Sequence, residues 1–93
     1  MNEKKFENKI RSMLTERGAW VLKTWSNGVQ RSGVPDLIVC YKGYFLGLEI
    51  KATGGRASEL QKWNIDGIKR AGGVGMIVYP TDWDELINLL DSL

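Results

Sequence analysis

The spacing of apolar residues divides the chain into alternating helical and extended segments. Phe6, Ile10, Met13 and Leu14 recur at i, i+4, i+7 and i+8, one stripe of a helix predicted over Glu3 to Arg17, with Asn2 as its cap and Gly18 as its stop. Trp20, Val21, Leu22 and Trp25 favour a strand within Ala19 to Trp25. Ser26 to Gly33, with its Asn-Gly and Ser-Gly pairs, reads as a loop. Two strands follow, Leu37 to Tyr41 and Tyr44 to Ala52, around the turn Lys42-Gly43. The first is continuously apolar, as expected for a strand covered on both faces; in the second, Leu46, Leu48 and Ile50 share one face. Thr53 to Arg56 is a loop, and Ser58-Glu59-Leu60-Gln61 has the spacing of a capping box. That box opens a second helix, with Leu60, Trp63, Ile65 and Ile68 as its apolar contacts and Gly72-Gly73 as its end. Val74 to Tyr79 is a further strand, Pro80 breaks it, and Thr81 caps a last helix packed through Trp83, Leu86, Ile87, Leu89 and Leu90. The order helix, strand, strand, strand, helix, strand, helix predicts an α/β domain.

Composition narrows the chemistry. With 93 residues, 43% of them hydrophobic, the chain makes one domain around a single core. A formal charge of +2 is too small to argue for nucleic acid unaided. The absence of histidine excludes a histidine base, a Ser-His-Asp arrangement and a histidine-ligated zinc site. Cys40 is alone, so neither an internal disulfide nor a CxxC clamp can form, and its place in an apolar strand predicts a small buried hydrophobe. Carboxylates, lysines and oxygen-loving metals remain. The polar N-terminal stretch and the lack of any apolar run near about 18 residues lead to the expectation of an intracellular soluble domain without a membrane partner.

The hairpin concentrates these groups. Period-two geometry puts Glu49 and Lys51 on the face opposite Leu46, Leu48 and Ile50, with Gly47 leaving room beside them. If Lys42-Gly43 is a two-residue turn, Tyr41 pairs with Tyr44, and counting outward sets Asp36 opposite Glu49. Opposed Cβ atoms lie about 5 Å apart, where like charges are destabilising unless neutralised. A divalent cation resolves that repulsion, since Mg²⁺ takes one or two carboxylates and keeps its other positions for water and phosphate.

Other residues have ordinary readings beside functional ones. Glu7 sits at the border of the first helix's apolar stripe, and Glu3 lies one turn earlier on nearly the same side. Gln61 is the N3 partner of the capping box. Arg31 lies on a loop beside the acidic hairpin, while Arg56 and Lys62 flank a helix start where cations and backbone N–H groups suit a phosphate. For each of the three, a solvated surface charge is the bland alternative.

Glu7-Asn-Lys-Ile10, Gly33-Val-Pro-Asp36-Leu, Glu49-Ile50-Lys51, Gln61-Lys-Trp63 and Ala71-Gly72 cover nearly the whole chain in a fixed order. Together they resemble the PD-(D/E)XK nucleases, and in detail the VRR-NUC (virus-type replication-repair nuclease) family in its minimal stand-alone form. The resemblance implies a restriction-endonuclease-like core with a mixed sheet flanked by helices. It implies that Asp36, Glu49 and the backbone carbonyl of Ile50 bind one or two Mg²⁺ or Mn²⁺ ions, with Glu7, in preference to Glu3, reaching the same site directly or through water. Lys51 is expected to orient water and stabilise charge on phosphate, because neighbouring acids favour its charged form over a basic one. Gln61 is expected to position the lysine or the scissile group. The implied substrate is branched DNA, including four-way junctions, cut by a homodimer; a phage or prophage source is in keeping with the family. The alternatives are a flap-cutting or restriction-like nuclease of the same fold and a non-catalytic DNA-binding module.

Overall fold

The computed structural model describes residues 1–25 and 32–93. Its elements are α1 (Glu3–Glu16), β1 (Trp20–Lys23), β2 (Leu37–Tyr41), β3 (Tyr44–Ile50), α2 (Glu59–Arg70), β4 (Val74–Val78), a 3₁₀ turn (Pro80–Asp82) and α3 (Trp83–Asp91). The strands form one mixed sheet in the order β1-β2-β3-β4, with β3 and β4 parallel and the other pairs antiparallel. This is the element order expected from the sequence, and the sheet flanked by helices is consistent with a restriction-endonuclease-like fold.

Caps close α1 and α2 as their sequences require. The Asn2 side chain accepts the Lys5 N–H at 2.8 Å, and Ser58 and Gln61 form the full reciprocal capping box. At the start of α3 the expectation fails. Pro80, with its fixed φ, opens a 3₁₀ turn that takes in Thr81, so Thr81 does not cap the helix; Asp82 precedes it instead, accepting the Tyr79 N–H at 2.9 Å.

The core lies on one side of the sheet. Phe6, Ile10 and Leu14 of α1 and Leu86 and Leu90 of α3 pack with Leu37, Val39, Leu46, Leu48 and Ile50. On the other side α2 lies over β3 and β4, brought close by a rung of glycines, Gly47 beside Gly75. A Cβ on Gly75 would meet the Ile65 carbonyl oxygen at 2.7 Å, and one on Gly47 would meet Ile68 at 2.4 Å. Because α2 covers only that half, β2 is not buried on both faces as its continuous apolar run predicts. Leu37, Val39 and Tyr41 are buried, but Ile38 is partly covered and Cys40 is exposed, contrary to the buried hydrophobe expected. For the same reason Leu60 and Trp63 of α2 are largely exposed while Ile65 is buried.

Candidate active site

The site forms where two paired strands part. Lys42 and Gly43 both have positive φ, at 52° and 82°, the two-residue turn that preserves strand twist. The register runs from Tyr41 opposite Tyr44 to Leu37 opposite Leu48, and one further step sets Asp36 against Glu49. At that step the backbone turns away toward the first strand. The Thr24 hydroxyl donates to the Pro35 carbonyl at 2.8 Å, and the Thr24 N–H donates to the Asp36 carbonyl at 2.9 Å. The Asp36 carboxylate then takes the place of the missing rung, its Oδ2 accepting the Ile50 N–H at 2.9 Å. A strand residue turns its N–H and C=O to the same edge, so the Ile50 carbonyl is directed to the Asp36 side. Ahead of this step, the buried Asn64 of α2 donates to the carbonyls of Gly33 at 3.1 Å and Leu60 at 3.0 Å, tying the incoming chain to the helix.

Glu49 carries the electrostatic tension of the site. Its side chain is 2% exposed, with Lys51 Nζ 3.2 Å from Oε2. Its other oxygen, Oε1, is buried without a hydrogen-bond partner. Burial first, then the nearby charge of Asp36, push its carboxyl up to about 7 despite the opposing pull of Lys51. An ionised, desolvated carboxylate beside a second one, with an oxygen to spare, is a cation-seeking arrangement.

Glu7 lies next to this pair but is engaged elsewhere. Its position on the sheet-facing stripe of α1 leaves it 8% exposed, whereas Glu3 is exposed. Lys23 Nζ is 2.6 Å from Glu7 Oε1 and 4.0 Å from Asp36 Oδ1, so one ammonium joins the helix acid to the strand acid. Sequence reasoning missed Lys23. Its signal was parity: it shares with Val21 the face of β1 that pairs with buried Leu37 and Val39, an inward position where a lysine needs a carboxylate. Tyr79 was missed as well; its hydroxyl donates to the Gly55 carbonyl at 2.8 Å and holds the loop after Lys51.

The remaining candidates stand further out. The Gln61 side-chain oxygen accepts the Ser58 N–H at 2.8 Å, completing the helix cap. Arg56 is exposed, and Lys62 pairs with Glu59 at 3.3 Å on the surface. Arg31 falls outside the described residues.

The donor set fits a hard divalent cation. Among the described residues no three acidic side chains converge as a preformed cage. Asp36, Glu49 with its unpartnered oxygen, and the Ile50 carbonyl supply the few oxygens that Mg²⁺ takes from protein.

No curated protein and no solved structure is significantly similar to the chain. Residues 2–83, from the N-cap of α1 to the first residue of α3, match the family model of the archaeal Holliday junction resolvases (Hjc). That family is of PD-(D/E)XK type, the class whose acid, acid and lysine pattern Asp36, Glu49 and Lys51 reproduce. Spanning almost the entire chain, the match shows that the protein belongs to the archaeal Holliday junction resolvase family, a family of structure-selective nucleases.

Proposed function

We propose that the chain is an Mg²⁺- or Mn²⁺-dependent endodeoxyribonuclease that hydrolyses phosphodiester bonds in branched DNA, with four-way junctions as its preferred substrate. The observation that carries this reading is the Asp36–Glu49 pair: two carboxylates share the end of a ladder, and one of them is buried with an unpartnered oxygen. The minimal VRR-NUC form describes the same order of motifs and belongs to the same reading.

Asp36, Glu49 and the Ile50 carbonyl hold the cation, with Glu7 reaching it once released from Lys23. When bound, one or two such ions neutralise the carboxylates, promote water as nucleophile and stabilise the charged phosphorane-like state. Lys51 orients that water and offsets charge on the phosphate. Gln61 keeps its oxygen in the helix cap and turns its amide toward the scissile group. Arg31, Arg56 and Lys62 contact the DNA backbone, which positions the duplex without reading sequence. So small a domain recognises DNA by shape, and a two-fold homodimer places two sites on two strands.

The test is cleavage of four-way junction, flap, single-stranded and matched duplex DNA with Mg²⁺ or Mn²⁺, run beside Asp36→Ala. Junction incision that vanishes in the variant is the expected result. Equal cutting of junction and duplex overturns the preference, and undiminished cutting by the variant overturns the site. A restriction-like or flap nuclease, or a non-catalytic binding module, is the corresponding alternative for each failure.

A further inference from the structure

We propose that the half of the sheet left bare by α2 is the surface on which a second copy of this chain docks. The register puts Trp20, Cys40 and Phe45 in one row across three strands, with Leu22 and Ile38 in the next. These side chains share the face on which α2 lies, but α2 stops over β3 and β4. Trp20 is therefore 60% exposed, Phe45 48% and Leu22 46%, with Trp63 at the facing border of α2 55% exposed. Cys40 sits exposed in the middle of the row. Exposed apolar residues scattered singly need no explanation, but these are adjacent by ladder geometry, with strands about 5 Å apart.

Size points to a protein partner. Aromatic side chains offer 150–250 Å² each, so the patch presents roughly 500 Å² of apolar surface, toward the upper limit for a monomer. It is also a large share of the roughly 800 Å² that each partner contributes to a standard interface. The rows hold no charged residue, which excludes a DNA backbone as their occupant, because phosphate recognition needs Lys or Arg.

Shape points to a second copy. Trp20 stands as a ridge at one end of the patch. At the other end, Phe45, Trp63, Gly67, Ile68 and Ala71 line a groove of about 400 Å³, also without charge. Ridge and groove on one surface are what a two-fold contact needs, each copy's Trp20 entering the other's groove. A net charge of +2 per chain raises little repulsion against the approach. This inference is independent of cleavage, since neither residue row includes Asp36, Glu49 or Lys51.

The experiment uses the full chain without DNA or metal. Sedimentation at micromolar concentration should give twice the chain mass of 10.5 kDa, with Trp20→Glu and Phe45→Glu sedimenting as folded monomers by circular dichroism. Cys40, the single thiol, reports the same surface. Its reaction with a disulfide reagent should slow by at least about tenfold as wild-type protein is concentrated, the change expected for about 1.4 kcal/mol of protection. Wild-type monomer throughout, or a dimer that survives both substitutions, overturns the proposal. If a substituted chain fails to fold, the wild-type labelling still decides, because a rate independent of concentration also overturns it.

Discussion

The Lys23 ammonium lies 2.6 Å from the Glu7 carboxylate, and the same nitrogen is 4.0 Å from Asp36. Lysine thus provides, from within the chain, positive charge between two acids that a divalent cation would also serve. Lys23→Met removes it, leaving Glu7 largely buried without its partner. Partial exposure of Lys23 keeps the cost below the several kcal/mol of a fully buried pair, at about 1–3 kcal/mol. Thermal melting with and without Mg²⁺ should show a less stable metal-free variant that gains more from the ion than wild type does. An equal gain in both proteins contradicts competition between lysine and metal.

Asp36 has two separable duties. Asp36→Asn keeps an oxygen to accept the Ile50 N–H but loses the negative charge, so it should unfold near the wild-type urea midpoint while losing at least about 10²-fold in junction cleavage. Asp36→Ala also strands the N–H, at a further cost of about 1–3 kcal/mol. Identical urea midpoints for the two variants argue that the hydrogen bond carries no stability.

Glu49 sets the pH dependence of the metal-free protein. Its carboxyl is raised from 4.5 to about 7, so between those values the folded chain holds a proton that the unfolded chain releases. Folding stability from this group is therefore full below about pH 4.5, declines as pH rises, and levels off above about pH 7. The groups facing it are Asp36, which strengthens the effect, and Lys51, which weakens it. The difference is on the order of 3 kcal/mol. Glu49→Gln should flatten that slope, raise the neutral-pH melting temperature and abolish cleavage. A variant less stable than wild type at neutral pH would show that the Lys51 pair outweighs the desolvation.

Gln61 tests whether capping and catalysis share a side chain. Glu at N3 preserves a capping box, so Gln61→Glu should keep α2 intact while adding a negative charge where an amide is proposed to meet the scissile group. Cleavage falling tenfold or more with unchanged helicity, about 1.4 kcal/mol in the barrier, supports the second role. Unchanged cleavage leaves the cap as its whole contribution. Lys51→Ala should abolish cleavage too, and near wild-type activity would remove lysine from the mechanism.

Local rules made much of this legible. The facing of Asp36 and Glu49 followed from a two-residue turn and period-two counting, because turn length and pleat alone set a hairpin's register. The Ser58–Gln61 cap followed from spacing. What stayed hidden depended on how elements meet in space. Nothing in the run Leu37–Tyr41 tells how far α2 extends over the sheet, so Cys40 was expected inside and lies outside. Lys23 finds Glu7 only because α1 packs against β1, a contact between segments that no local pattern joins. Pro80 marked the end of β4 correctly, but its turn consumed the residue expected to cap α3.

The Asp36 carboxylate stands in for a backbone rung at the fork of β2 and β3, and that ties chemistry to folding. Just beyond β3, the Lys51 N–H is held by the Val78 carbonyl, from a strand made late in the chain. A nascent or damaged copy in which these strands have not closed has its two acids on separate, solvated segments. Such a chain is inert toward the genome, and cutting capacity arrives only with the finished sheet.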